Sequence, residues 1–159
     1  MDTKSRVWEI LSGISDPEIP VLSLVDLGII ETVLVGEEIH VEILPTFSGC
    51  PALDFIQQEI GSQLEVLGFP VSITINRTKT WTSNRLTEQG RKVLQASGFA
   101  PPPIIPLEDS PPLHLGNGLA CPHCGSTQTV LDSPFGPTPC RALYRCLNCR
   151  QPFEQFKPI

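Results

Sequence analysis

Pro45-Thr46-Phe47-Ser48-Gly49-Cys50-Pro51 joins two runs of different periodicity. Before it, Ile39-His40-Val41-Glu42-Ile43 alternates apolar and polar residues, the pattern of a half-buried strand. After it, Leu53, Ile56, Ile60, Leu64 and Leu67 recur at helical spacing along one face, and Gly68 supplies a stop. Pro51 is pre-set for a first helical turn and Asp54 suits the helix dipole, so the pattern predicts a helix beginning at Ala52. Cys50 then falls at or beside the N-cap.

A thiol in that place faces unpaired backbone N–H groups and the positive end of the dipole, which favour the thiolate and lower the cysteine pKa. A thiolate is both a nucleophile and a metal ligand. Gly49 permits close backbone approach, and Thr46 and Ser48 add hydroxyls to the same turn. The same residues equally suit a small, buried, inert cysteine.

Working outward, Val7, Ile10, Leu11 and Ile14 predict a helix over 4–14, ended by Gly13 and Asp16-Pro17. In Asp16-Pro17-Glu18-Ile19-Pro20 two prolines exclude a helix and hold two carboxylates on a loop, whose plainest reading is a capped turn with solvated acids. Asp26-Leu27-Gly28 reads as a turn before a strand over 29–35, and Gly36-Glu37-Glu38 connects that strand to the next as a hairpin. Residues 71–75 predict a third strand and 87–97 a third helix. The economical fold class is a small α+β domain, about three helices covering one face of a three- or four-stranded mixed sheet, with Cys50 at an end of the sheet.

From Phe99 the composition changes. Ala100-Pro101-Pro102-Pro103-Ile104-Ile105-Pro106 and Ser110-Pro111-Pro112 cannot form helix or central strand and read as a stiff spacer. Residues 1–98 are therefore expected to form one domain, 99–118 a linker and 119–159 a second module. That module carries Cys121-Pro122-His123-Cys124 and Cys146-Leu147-Asn148-Cys149, two CxxC pairs 21 residues apart. Each pair can offer two thiolates from a tight turn, and two such turns close a four-cysteine tetrahedral site, a zinc ribbon. Zinc is the expected occupant and iron the competing one, since a rubredoxin holds iron in two such turns. His123 reads as a bystander and Cys140 as an inert residue between the pairs.

The chain of 159 residues has a net charge of −6, which argues against a nucleic-acid partner held by overall charge. The acidic excess lies in residues 1–98, whereas 119–159 has four Lys and Arg against two acids. That mild basic bias suits docking on an acidic protein surface at least as well as on nucleic acid. The N-terminus leads into an amphipathic run, and no apolar stretch is long enough to span a bilayer, so a cytoplasmic protein without membrane attachment is expected. In that compartment six cysteines are metal ligands or reactive thiols rather than disulfides. A phosphate-cradling glycine loop, a dinucleotide fingerprint, a Glu-x-x-His pair and a credible Ser/His/Asp set are all missing, which argues against catalysis by this chain alone.

Read together, Asp16-Pro17-Glu18, Asp26-Leu27-Gly28, Thr46 to Cys50-Pro51 and Trp81 resemble the SUF-type metal-sulfur cluster assembly domain. With the proline-rich linker and a ribbon ending Pro152-Phe153-Glu154-Gln155-Phe156-Lys157, the whole chain resembles the D-subunit family of the phenylacetyl-CoA epoxidase system of aerobic phenylacetate degradation. The resemblance implies a bacterial accessory protein of a multicomponent monooxygenase whose partners are a di-iron oxygenase and an iron-sulfur reductase. It implies that the protein helps insert or maintain iron or iron-sulfur centres in them. Cys50 then matches the family's reactive cysteine, holding iron or a cluster transiently, and Asp16, Glu18 and Thr46 match the motif positions around it. One cysteine per chain is too few for a stable cluster, so a homodimer, a partner or small thiols would complete it. Two rivals stand beside this reading: a rubredoxin-like electron-transfer component, and a non-catalytic structural adaptor of the epoxidase complex.

Overall fold

The computed structural model describes residues 1–46, 50–104, 118–138 and 140–156. Phe47, Ser48 and Gly49 of the cysteine turn, and most of the proline-rich stretch with His114, lie outside the described residues. In chain order the elements are α1 (Thr3–Ser12), α2 (Leu24–Leu27), β1 (Ile30–Val35), β2 (Ile39–Ile43), α3 (Leu53–Glu65), β3 (Val71–Ile75), a 3-10 turn (Ser83–Arg85), α4 (Glu88–Ala96), β4 (Phe99–Ala100), β5 (Thr129–Ser133), β6 (Arg141–Cys146) and β7 (Pro152–Phe156). The chain divides into two compact units, Met1–Gly90 and Arg91–Ile159. No helix among the described residues is long and apolar enough to cross a membrane.

The first unit is built on β2. Its odd positions Ile39, Val41 and Ile43 are fully buried, each contributing about 1.5–3 kcal/mol relative to exposure. β2 is the middle strand of a three-stranded mixed sheet, antiparallel to β1 and parallel to β3. A parallel neighbour needs a crossover, and α3 provides it between β2 and β3. The helices bury Val7 and Leu11 from α1 and Ile56, Ile60 and Leu64 from α3, as the apolar spacing requires. α1 starts one residue before its expected position because Asp2 caps it, accepting a hydrogen bond from the Ser5 amide at 2.6 Å. His40, on the other face of β2, lies between the hydroxyls of Ser72 and Thr74 at 2.9 and 3.2 Å.

Asp26-Leu27-Gly28 closes α2, a single helical turn, and ties it to residues far along the chain. The Asp26 carboxylate accepts from Ser23 Oγ at 3.0 Å and from Thr87 Oγ1 at 2.6 Å. Trp81 Nε1 donates to the Leu27 carbonyl at 3.1 Å, and Arg85 Nε to the Gly28 carbonyl at 2.7 Å. Gly28 has φ +76°, and a Cβ there would stand 2.3 Å from the Arg85 carbonyl oxygen. Only glycine meets both the left-handed backbone and the close approach.

The second unit is a four-stranded sheet in the order β4-β7-β6-β5. Phe99 and Ala100, at the start of the proline-rich stretch, pair parallel to Glu154 and Gln155 of β7. β6 is antiparallel to both β5 and β7, and Tyr144 and Phe153 sit opposite each other with stacked rings 5.6 Å apart. Beside them Cys121, Cys146, Ala100 and Ala142 complete a small core. Its size explains the need for a further staple.

Candidate functional site

Two tight turns bring four sulfurs together in the second unit. In the first, Gly125 N–H donates to the Cys121 carbonyl at 2.8 Å, with Gly125 at φ +77°. In the second, Arg150 occupies the same place after its CxxC pair, at φ +63°. A left-handed residue after the second cysteine turns the chain back in each case, and glycine does so without steric cost. Cys121 Sγ lies 3.8 Å from Cys149 Sγ, Cys124 Sγ lies 3.6 Å from Cys146 Sγ, and all four lie within 4.8 Å of one another. Four sulfurs about 2.3 Å from one zinc ion are roughly 3.8 Å apart at the corners of a tetrahedron, so this set fits the ion.

Backbone and amide N–H groups turn towards the sulfurs. His123 N donates to Cys121 Sγ and Cys149 N to Cys146 Sγ, both at 3.4 Å, and Asn148 Nδ2 donates to Cys124 Sγ at 3.6 Å. The backbone at Ser126, followed by the Asn148 side chain, draws the Cys124 pKa down to about 6. The Gln151 backbone favours a thiolate at Cys149, but burial and the sulfurs of Cys146, Cys124 and Cys121 outweigh it and push that group up to about 12. Once one sulfur carries charge its neighbours resist ionising, and a divalent cation removes that resistance. With four protein ligands such a site has no open coordination position, the pattern of a closed rather than a substrate-binding centre. His123 stands outside the set, and so does Cys140, which is buried with its sulfur 3.0 Å from Thr138 Oγ1.

Cys50 stands elsewhere, on a half-buried turn ahead of α3. The helix begins at Leu53, one residue later than the periodicity suggests, with Ala52 as its cap. The Cys50 carbonyl accepts from the Leu53 amide at 3.3 Å, so a turn through Pro51 and Ala52 intervenes between the cysteine and the first helical residue. Cys50 is thus two residues short of the N-cap, and the cap itself makes no side-chain hydrogen bond.

Asp16 is buried rather than solvated: its Oδ1 accepts from the amides of Glu18 and Ile19 at 2.9 and 2.8 Å. The loop is further closed by Asp16 N–H to the Leu22 carbonyl at 2.8 Å. Asp16 therefore shapes the turn that carries Glu18, and Thr46 follows β2 on the approach to Cys50. Among the described residues, the four ribbon cysteines converge as a metal-ligand group, whereas Cys50, Asp16 and Glu18 do not form one. Sequence reading missed Glu31, whose carboxylate pairs with Lys79 and with Arg85 Nη2, the latter at 2.8 Å. These partners lie some fifty residues away in the chain, and no local pattern announces them.

The fold and the site define a class, a small α+β domain followed by a four-cysteine β-ribbon. Residues 4–75 match the family model described as an iron-sulfur cluster assembly protein, and residues 113–157 match the PaaD zinc beta ribbon domain. A protein of Escherichia coli (strain K12), provisionally named as the D-subunit of 1,2-phenylacetyl-CoA epoxidase, is 41% identical over 156 residues, covering 97% of this chain and 92% of that protein. The crystal structure of a domain of unknown function, DUF59, from Bacillus anthracis superposes with a TM-score of 0.54 at 18% identity, over 57% of this chain and 90% of that one, and supports the fold. The chain belongs to the D-subunit family of phenylacetyl-CoA epoxidases.

Proposed function

We propose that this chain is an accessory protein of a multicomponent phenylacetyl-CoA epoxidase, without catalysis of its own, that helps load or maintain iron or iron-sulfur centres in the other subunits through Cys50. The observation that carries the reading is the separation of its two kinds of thiol. The ribbon has a complete ligand set of four, whereas Cys50 stands on a half-buried turn in the domain that matches iron-sulfur cluster assembly proteins. A complete thiolate cage retains its ion, and a single thiolate binds cargo weakly enough to release it.

In this reading Asp16 holds the loop that offers Glu18 to the cargo, and Thr46 supplies a hydroxyl beside the turn. Further ligands come from a second copy, a recipient subunit or small thiols. The ribbon holds zinc and acts as a structural module in the cytoplasm, its 119–159 segment completed by the edge strand Phe99–Ala100, with the proline-rich spacer following that strand.

The test is metal and acid-labile sulfide content, with an absorption spectrum, on anaerobically purified protein beside its Cys50→Ala variant. Zinc near one per chain in both, with iron or sulfide in the parent only, is the expected result. Zinc alone in both, with full epoxidase maturation by the variant, would leave a structural adaptor. Iron in both, with a spectrum that bleaches on reduction, would mark an electron-transfer protein.

A further inference from the structure

Between α1 and α3 runs an open groove of about 460 Å³, within the range of roughly 300–1,000 Å³ that suits a bound ligand. Ile10 and Ile14 from the α1 side and Phe55 from α3 form its apolar part, and Glu9 from α1 and Glu59 from α3 each add a carboxylate. Phe55 is 53% exposed although α3 buries Ile56, Ile60 and Leu64 on its inward face. It lies in the first turn of the helix, five residues beyond Cys50. An aromatic ring left in water beside two isoleucines fits the anchor position of a binding groove.

The charged residues that line the groove, Glu9 and Glu59, are both acidic, and the bases of α1, Lys4 and Arg6, are not among the lining residues. From Val7 to Asn76 the chain has eleven Asp and Glu and no Lys or Arg. No base therefore lines the groove, and Glu9 and Glu59 have the loop acids Asp16 and Glu18 and the helix acid Asp54 on the same stretch of chain. A field of that sign repels acidic partners and attracts cationic ones. Two helices in contact, apolar residues from both and a carboxylate from each form the complement of a helix-in-groove ligand with a basic border.

We infer that this groove is the docking site for a basic amphipathic segment of another protein, an apolar ridge flanked by lysine or arginine. Docking here places the partner on the same helix that follows the Cys50 turn. The interaction is separable from cargo, because Cys50 is not among the lining residues.

The test uses the full-length, zinc-loaded protein, labelled with nitrogen-15 and titrated with two synthetic helical peptides. Both carry leucine at i, i+3, i+4 and i+7, with lysine at the remaining positions in one and glutamate in the other. The lysine peptide should shift the amides of Ile10, Gly13, Ile14, Phe55 and Glu59, and the glutamate peptide should bind at least about tenfold more weakly. Phe55→Ser and Glu59→Lys, both away from the buried face, should each weaken the lysine peptide by about tenfold while leaving amide dispersion intact. Equal binding of the two peptides, shifts confined to the sheet or the ribbon, or unchanged affinity in Phe55→Ser would overturn the inference. So would a concentration-dependent dimer that Phe55→Ser abolishes, which would make a second copy the occupant.

Discussion

Arg150 is the one non-glycine residue at positive φ among those described, and it occupies the place that Gly125 takes in the first knuckle. The left-handed backbone costs a residue with a Cβ about 1–2 kcal/mol, part of which glycine returns as unfolded-state entropy. Arg150→Gly should therefore strengthen metal retention by roughly 1 kcal/mol, measured as a shift in the midpoint of zinc competition with a chelator. Gly28 is the converse case, because a Cβ would meet the Arg85 carbonyl oxygen at 2.3 Å in a left-handed turn. Gly28→Ala should destabilise the first unit by about 2 kcal/mol or more, read from denaturant unfolding followed by fluorescence of the buried Trp81.

At the level of elements, the ribbon's two knuckles are coupled by charge. Cys124 titrates near 6 in the folded protein against an ordinary thiol value of 9.0, so its contribution is complete above pH 9 and is lost as pH falls through about 6. Cys149 has the opposite sign, and without a cation it stays protonated up to about 12. Cobalt-substituted protein should keep its thiolate-to-metal absorption at neutral pH and lose it below about pH 6, as protons displace the ion. In the first unit the comparable element is the Asp26-Leu27-Gly28 turn. Trp81→Phe keeps an aromatic side chain but removes the donor to the Leu27 carbonyl, and should cost about 1–3 kcal/mol in denaturant unfolding followed by circular dichroism.

The whole molecule joins two units with different sources of stability. The first rests on a β2-centred apolar core, the second on a few aromatic and alanine contacts completed by four sulfurs. Chelation should therefore collapse the amide dispersion of residues 118–156 in an NMR spectrum while signals from residues 1–90 persist. Zinc addition under reducing conditions should restore them. The acidity of residues 7–76 is a property of the same scale, since it makes one unit a cation-attracting surface while the ribbon carries a mild basic excess.

Local order left its mark on the chain wherever one segment suffices to define an element. Period-two alternation at β2 and the apolar stripe of α3 are visible because burying one face imposes the spacing. The four-cysteine cluster is legible for the same reason, since each CxxC pair is confined to one turn. Contacts between distant segments leave no such trace. That Asp26, Leu27 and Gly28 anchor Thr87, Trp81 and Arg85, that Phe99 and Ala100 pair with β7, and that Phe55 remains outside the core were decided by tertiary packing. The turn at Cys50 lies between these cases. Its place ahead of α3 follows from sequence, but its distance from the helix end is set by the turn through Pro51 and Ala52, closed by the Leu53 amide on the Cys50 carbonyl.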